Sequence, residues 1–199
     1  LCFLHDWGNF NFMSESKYTS ERCTYEQYKE RKIYGKYTPL TLPELDRILK
    51  ENPDVTIVTD TKDDNYTILD RAITLYPDLR GRMIPQMYSS EEYDKITELG
   101  FDNIIFTLYK LDVWKNGQEI LEFVGSHELY AVTIAYELRN EQIVRNICTY
   151  TDRVIYMHTV NTQTEFDNVT AAGGYGIYTD CIMPDGAVVP VVPAAPEEE

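Results

Sequence analysis

Apolar positions along the chain gather into short runs that end in polar residues, each followed by a few loop residues, an amphipathic stretch, a Gly and another apolar run. The runs are residues 1–4, 55–59, 83–87, 104–108, 131–136, 154–159 and 176–179. Strand-like runs alternating with helical patterns predict βαβ units and therefore a parallel sheet. Helix starts are read from capping boxes, in which a Ser or Thr side chain takes one orphan N–H and a Glu three residues on reaches back to another. Thr41 with Glu44, Ser89 with Glu92 and Thr162 with Glu165 fit this pattern. Behind the first, Leu42, Leu45, Ile48 and Leu49 share one helical face; behind the second, Tyr93, Ile96 and Leu99 do. Gly81, Gly100 and Gly173 are placed to end helices as left-handed C-caps.

Two regions break the rhythm. Residues 7–40, rich in Tyr, Lys, Glu, Ser and Asn, predict a long loop with a helical turn around 25–31. Residues 184–199 hold four of the nine Pro and end in three Glu, which predicts a disordered, Pro-rich acidic tail behind one domain of residues 1–183. The chain opens on Leu1, in an apolar run already under way. The first expectation is therefore that its beginning is missing.

The composition is that of a globular domain: 199 residues, 43% hydrophobic, 26% charged. Lys and Arg number 18 against 33 Asp and Glu, a net charge of −15, which argues against a nucleic-acid partner. An anionic substrate needs a metal or local cations to offset that field. Cys2, Cys23, Cys148 and Cys181 are scattered and form no C-x-x-C pair, so free, buried thiols are expected. No apolar run approaches the ~20 residues of a membrane span. The compartment stays open between cytoplasm and, should a signal or anchor precede Leu1, the cell surface. The Asn65 and Asn168 triplets match the glycosylation sequon, a common chance match.

Parallel barrels hold ligands at the C-terminal ends of their strands, so the polar residues closing each run are the informative ones. These are His5 and Asp6, Asp60 and Lys62, Gln86 and Tyr88, Thr107 and Tyr109, Tyr136 and Glu137, His158 and Asn161, and Thr179 and Asp180. They include imidazoles suited to proton transfer near neutral pH, carboxylates able to bind a hard cation, and a Lys able to bind phosphate. Each also has a plainer reading, as a structural His, a solvated strand end or a pocket wall.

Five segments, in order and rough spacing, resemble the glycerophosphodiester phosphodiesterases and their phosphatidylinositol phospholipase C-like relatives. They are Phe3-Leu4-His5-Asp6, Leu40-Thr41-Leu42-Pro43-Glu44-Leu45, Val58-Thr59-Asp60-Thr61-Lys62, His158-Thr159-Val160-Asn161, and Gly174-Tyr175-Gly176-Ile177-Tyr178-Thr179-Asp180. The resemblance covers about residues 1–182. It implies an α/β, TIM-type (β/α) barrel lacking its N-terminal strand or strands, and metal-dependent hydrolysis of a glycerophosphodiester to glycerol phosphate and an alcohol. It implies that His5 is one of two catalytic His, that Asp60 helps hold a divalent cation such as Mg or Ca, and that Lys62 binds the phosphate. Gln86, Tyr109 and His158 are expected to line the substrate pocket. Asp60 stands where the family usually has Glu, and His158 where it has Trp. The partner implied is a small phosphodiester, with residues 1–199 alone expected to be inactive. The alternatives are a phospholipase C-type lyase, or a barrel that binds phosphorylated lipid headgroups or glycans without turnover.

Overall fold

A computed structural model describes residues 1–16, 21–61 and 63–189, which fall into two compact units. The first holds Leu1–Val55 and Ala72–Leu79; the second holds Thr56–Arg71 and Arg80 onward.

The first unit contains α1 (Trp7–Met13), α2 (Tyr25–Glu30) and α3 (Leu42–Glu51). Each starts on a side-chain cap. Asp6 Oδ1 accepts from the Asn9 N–H at 2.7 Å, and Thr24 and Gln27 form a reciprocal box at 2.9 and 3.3 Å. The Glu44 carboxylate accepts from the Thr41 N–H at 3.0 Å, with Pro43 fitting the first turn where no N–H is needed. Leu42, Leu45 and Leu49 are buried, but Ile48, expected on the same face, is exposed. Phe10 and Tyr28, both fully buried, stack at 4.8 Å.

Residues 1–4 do not form the strand their apolar run predicts. Cys2 makes an isolated antiparallel bridge to Thr41, and the Phe3 N–H donates to the Leu40 carbonyl at 3.2 Å. The Tyr28 hydroxyl lies 2.8 Å from the Phe3 carbonyl oxygen and 2.9 Å from that of Leu40, so a buried phenol satisfies groups that a ladder would otherwise take.

The second unit is a six-stranded, wholly parallel sheet that curls as half of a barrel. Its strands are β1 (Ile57–Thr59), β2 (Met83–Met87), β3 (Ile105–Thr107), β4 (Ala131–Ala135), β5 (Ile155–His158) and β6 (Gly176–Ile177), paired in chain order. Six of the seven apolar runs are thus strands. Helices α4 (Asn65–Leu75), α5 (Tyr93–Glu98), α6 (Gly117–Ser126), α7 (Gln142–Tyr150) and α8 (Gln163–Ala171) connect them. The first part of α4, through Arg71, belongs to this unit and the rest to the first. Strands β2 and β3 are buried at every position, the pattern of a sheet covered on both faces. Ile84, Ile105 and Ala131 form a cluster across β2, β3 and β4, with Val154 and Tyr156 packed against it. At the sheet's last strand Gly176 faces Tyr156 so closely that a Cβ would sit 2.6 Å from the ring.

Thr162 and Glu165 form the box read from the sequence, with bonds of 3.0 and 3.2 Å. Ser89 opens only a short 3₁₀ turn, Ser90–Glu92, and makes no side-chain cap, because Glu92 accepts from Asn65 Nδ2 at 2.7 Å instead. Gly100 and Gly173 turn the chain at φ +84° and +90° as expected. Gly81 does not: it lies within the 3₁₀ segment Pro77–Arg82 and has no positive φ. The four thiols are free, but only Cys181 is buried and Cys148 is exposed, because the latter sits near the end of α7. Residues 184–189 turn back on the chain, with an Ile182–Val188 bridge and the Val189 N–H on the Cys181 carbonyl at 2.8 Å; residues 190–199 lie outside the described residues. Among the described residues no helix is long and apolar enough to cross a membrane.

Candidate active site

In the second unit the loops leaving the C-terminal ends of the strands carry a row of touching side chains. Asp60 follows β1 and accepts a hydrogen bond from the Tyr88 hydroxyl, just after β2. The Tyr88 ring meets Tyr109, after β3, edge-on at 5.9 Å, and Tyr109 meets His158, at the end of β5, at the same distance. His158 stacks on Tyr178, after β6, at 6.2 Å. Lys110 adds a cation, its Nζ 3.8 Å from the Tyr88 ring centre and 5.5 Å from that of Tyr109.

Electrostatics fixes the protonation of this row. Burial, and then the hydrogen bond to the Asp60 carboxylate, push the Tyr88 hydroxyl well above the ordinary phenol range, so it stays a donor. Burial, together with Tyr156, Asp60 and Tyr130, pushes Tyr178 up to about 12. Burial lowers His158 below its usual value, although Glu137 and Asp60 pull the other way; its imidazole is therefore neutral at pH 7. His158 Nε2 and the Tyr178 hydroxyl are buried with no hydrogen-bond partner among the described residues.

A polar frame stands beneath the row. Asn65 Nδ2 donates to the Gln86 carbonyl at 2.8 Å and to Glu92 at 2.7 Å, while the Thr61 hydroxyl donates to Asn65 Oδ1 at 2.6 Å. Gln86 Nε2 donates to the Thr59 carbonyl at 3.1 Å, bracing β1 against β2. At the other end Asn161 holds the last loop, donating to Asp180 at 3.0 Å and accepting from the Asp180 N–H at 2.9 Å.

Of the residues singled out in the sequence, the structure brings Asp60, Tyr109 and His158 together through Tyr88, and gives Gln86 a bracing bond. Lys62 lies outside the described residues. His5 belongs to the first unit, where its Nδ1 meets Asp6 Oδ2 at 2.6 Å. Burial raises the Asp6 carboxyl, but hydrogen bonds from the Asn9 N–H, His5 and the Asn9 amide outweigh it and hold the group at about 2. Lys110 was not singled out. Its one signal is its position, immediately after Tyr109 at the end of an apolar run.

The donor set does not by itself fit a divalent cation. Among the described residues no three His, Cys, Asp or Glu cluster at metal-binding range, and Asp60 is engaged by Tyr88.

No protein-family model and no curated protein matches the sequence. Solved structures do. A glycerophosphodiester phosphodiesterase from Parabacteroides distasonis superposes with a TM-score of 0.59 at 13% identity, over 90% of this chain and 73% of its own. A protein assigned as a glycerophosphoryl diester phosphodiesterase from Agrobacterium tumefaciens gives 0.66 at 14% identity, over 89% and 75%. One from Silicibacter pomeroyi gives 0.62 at 11%, over 89% and 74%. The chain has the glycerophosphodiester phosphodiesterase fold. The fold likeness agrees with the resemblance carried by the five sequence segments. In a fold of this kind the C-terminal strand ends, where Asp60, Tyr88, Tyr109 and His158 meet, are the ends that hold ligands.

Proposed function

We propose that this protein hydrolyses glycerophosphodiesters to glycerol phosphate and an alcohol. The observation that carries the reading is the Asp60–Tyr88–Tyr109–His158 row at the carboxyl ends of a parallel sheet with the glycerophosphodiester phosphodiesterase fold. Breaking a phosphodiester builds charge on the non-bridging oxygens and on a departing alkoxide, so the site must supply cations and a proton. Lys62 would hold the non-bridging oxygens as a point charge, and His5 would donate the proton to the leaving oxygen. Tyr109 and His158 would line the pocket. Divalent-metal dependence belongs to the same proposal, with Asp60 as one ligand of a site that the described residues do not complete.

The test is release of glycerol phosphate from a glycerophosphodiester, measured on the protein as its whole gene encodes it, with and without added divalent metal. His5→Ala should slow an alkyl diester by roughly 10²-fold or more, the usual worth of a general acid, and slow a nitrophenyl diester much less because nitrophenolate leaves without a proton. Asp60→Asn should slow both substrates alike. Equal loss on both substrates in His5→Ala would move His5 from proton donor to phosphate binding, and no release from any glycerophosphodiester would end the reading.

A further inference from the structure

Hydrolysis of a glycerophosphodiester leaves the alcohol half of the substrate unspecified, and the ring row carries information about it. A cation over the faces of Tyr rings within about 6 Å is the arrangement by which aromatic cages hold quaternary ammonium groups. Here that seat is taken by the chain's own ammonium, since Lys110 Nζ stands 3.8 and 5.5 Å from the Tyr88 and Tyr109 ring centres. Among the described residues the partners of Lys110 are these two ring faces and not a carboxylate, despite the excess of 33 acidic over 18 basic residues. Its ammonium thus rests on ring faces, and the carboxylate that shares the row, Asp60, is bonded to the Tyr88 hydroxyl and not to Lys110.

The row continues through His158 to Tyr178, where His158 Nε2 and the Tyr178 hydroxyl are buried without hydrogen-bond partners. Buried polar atoms are nearly always satisfied, so these two are left to bond a group that the described residues do not supply. Both match a hydroxyl, because a neutral imidazole nitrogen donates or accepts according to its tautomer and a phenol does either. Aromatic faces bearing polar atoms suit the mixed apolar and hydroxylated surface of a polyol.

We propose that Tyr88, Tyr109, Lys110, His158 and Tyr178 form the subsite for the alcohol of the substrate, selecting an uncharged polyhydroxylated alcohol and turning away a quaternary ammonium. The selection combines attraction, from the two orphan polar atoms, with repulsion from a fixed like charge. It rests on the phosphodiesterase reading.

The experiment is a ligand-detected NMR titration of the protein with glycerophosphoinositol and with glycerophosphocholine, with ³¹P spectra recording any cleavage. The wild type should bind the inositol diester roughly 10-fold more tightly or better, the discrimination expected of one cation seat. Lys110→Gln should admit the choline diester and narrow that preference to under about 3-fold, while Lys110→Arg keeps it. His158→Phe, which keeps a ring and removes the nitrogen, should weaken the inositol diester alone. Equal binding of the two diesters by the wild type, tighter binding of the choline diester, or an unchanged preference in Lys110→Gln would each overturn the subsite. A preference without cleavage would uphold the subsite and end the hydrolytic reading; cleavage of both diesters without preference would do the reverse.

Discussion

Asn65 is the most heavily committed polar side chain beneath the candidate site, and its replacement gives a quantitative test. It is buried, with 8% of its surface exposed, and makes three side-chain bonds: to the Gln86 carbonyl at 2.8 Å, to Glu92 at 2.7 Å and from Thr61 at 2.6 Å. A neutral hydrogen bond contributes about 1 kcal/mol and one to a carboxylate about 1.5–3 kcal/mol, with more lost when a buried partner is stranded. Asn65→Ala should therefore cost about 3 kcal/mol, read from urea unfolding followed by far-UV circular dichroism. For a chain of this size that is a fall in Tm of roughly 6–12 °C. Asn65→Asp separates bonding from shape. It keeps the acceptor for Thr61, removes both donors and sets a second carboxylate against Glu92. Its pair of carboxyls should titrate above the ordinary range, so its deficit should be largest at pH 7 and shrink as the pH falls toward 4 and one carboxyl regains a proton to donate. A loss below about 1 kcal/mol in Asn65→Ala, or a pH-independent deficit in Asn65→Asp, would refute the network as a source of stability.

Two further outcomes are expected. Gly174→Ala should cost about 1–3 kcal/mol of overpacking, because the added methyl would sit 2.4 Å from Val169 Cγ1 and 3.1 Å from the Val169 carbonyl oxygen, which the backbone holds in place; an unchanged urea midpoint would contradict the close approach. Burial depresses the folded-state His158 below the 6.5 of the unfolded chain, so its contribution is intact above pH 6.5 and lost as the pH falls from there through the folded value. His158→Gln should flatten that part of the stability–pH curve, and an identical slope in both proteins would refute the assignment.

The parallel α/β architecture was legible in the sequence because six apolar runs, each ending in polar residues, carry strand formation locally. The seventh misled for the same reason. Residues 1–4 are apolar enough for a strand, but a run does not announce its partner, and here the Tyr28 hydroxyl and Leu40 take its backbone groups. Ser89 and Glu92 fail as a capping box because Glu92 answers a side chain 27 residues away, a bond no local spacing reveals. The candidate site divides in the same way. Asp60, Tyr109 and His158 could be singled out as polar closers of apolar runs. The Tyr88 bond to Asp60, the seat of Lys110 over two rings and the frame around Asn65 depend on which strands become neighbours.

The strand order carries a consequence for how the sheet is made. Every strand lies beside the one that precedes it in the chain, and paired residues are separated by 19 positions, as for Gln86 and Ile105, to 26, as for Ile57 and Met83. A chain emerging from the ribosome at about 5–20 residues per second thus presents each new strand to a partner delivered only seconds earlier. No strand has to wait for a distant segment, and the loop to be closed at each step stays short. The sheet can therefore grow in the direction of synthesis, one βα unit at a time, with a single unpaired leading edge that the next unit covers.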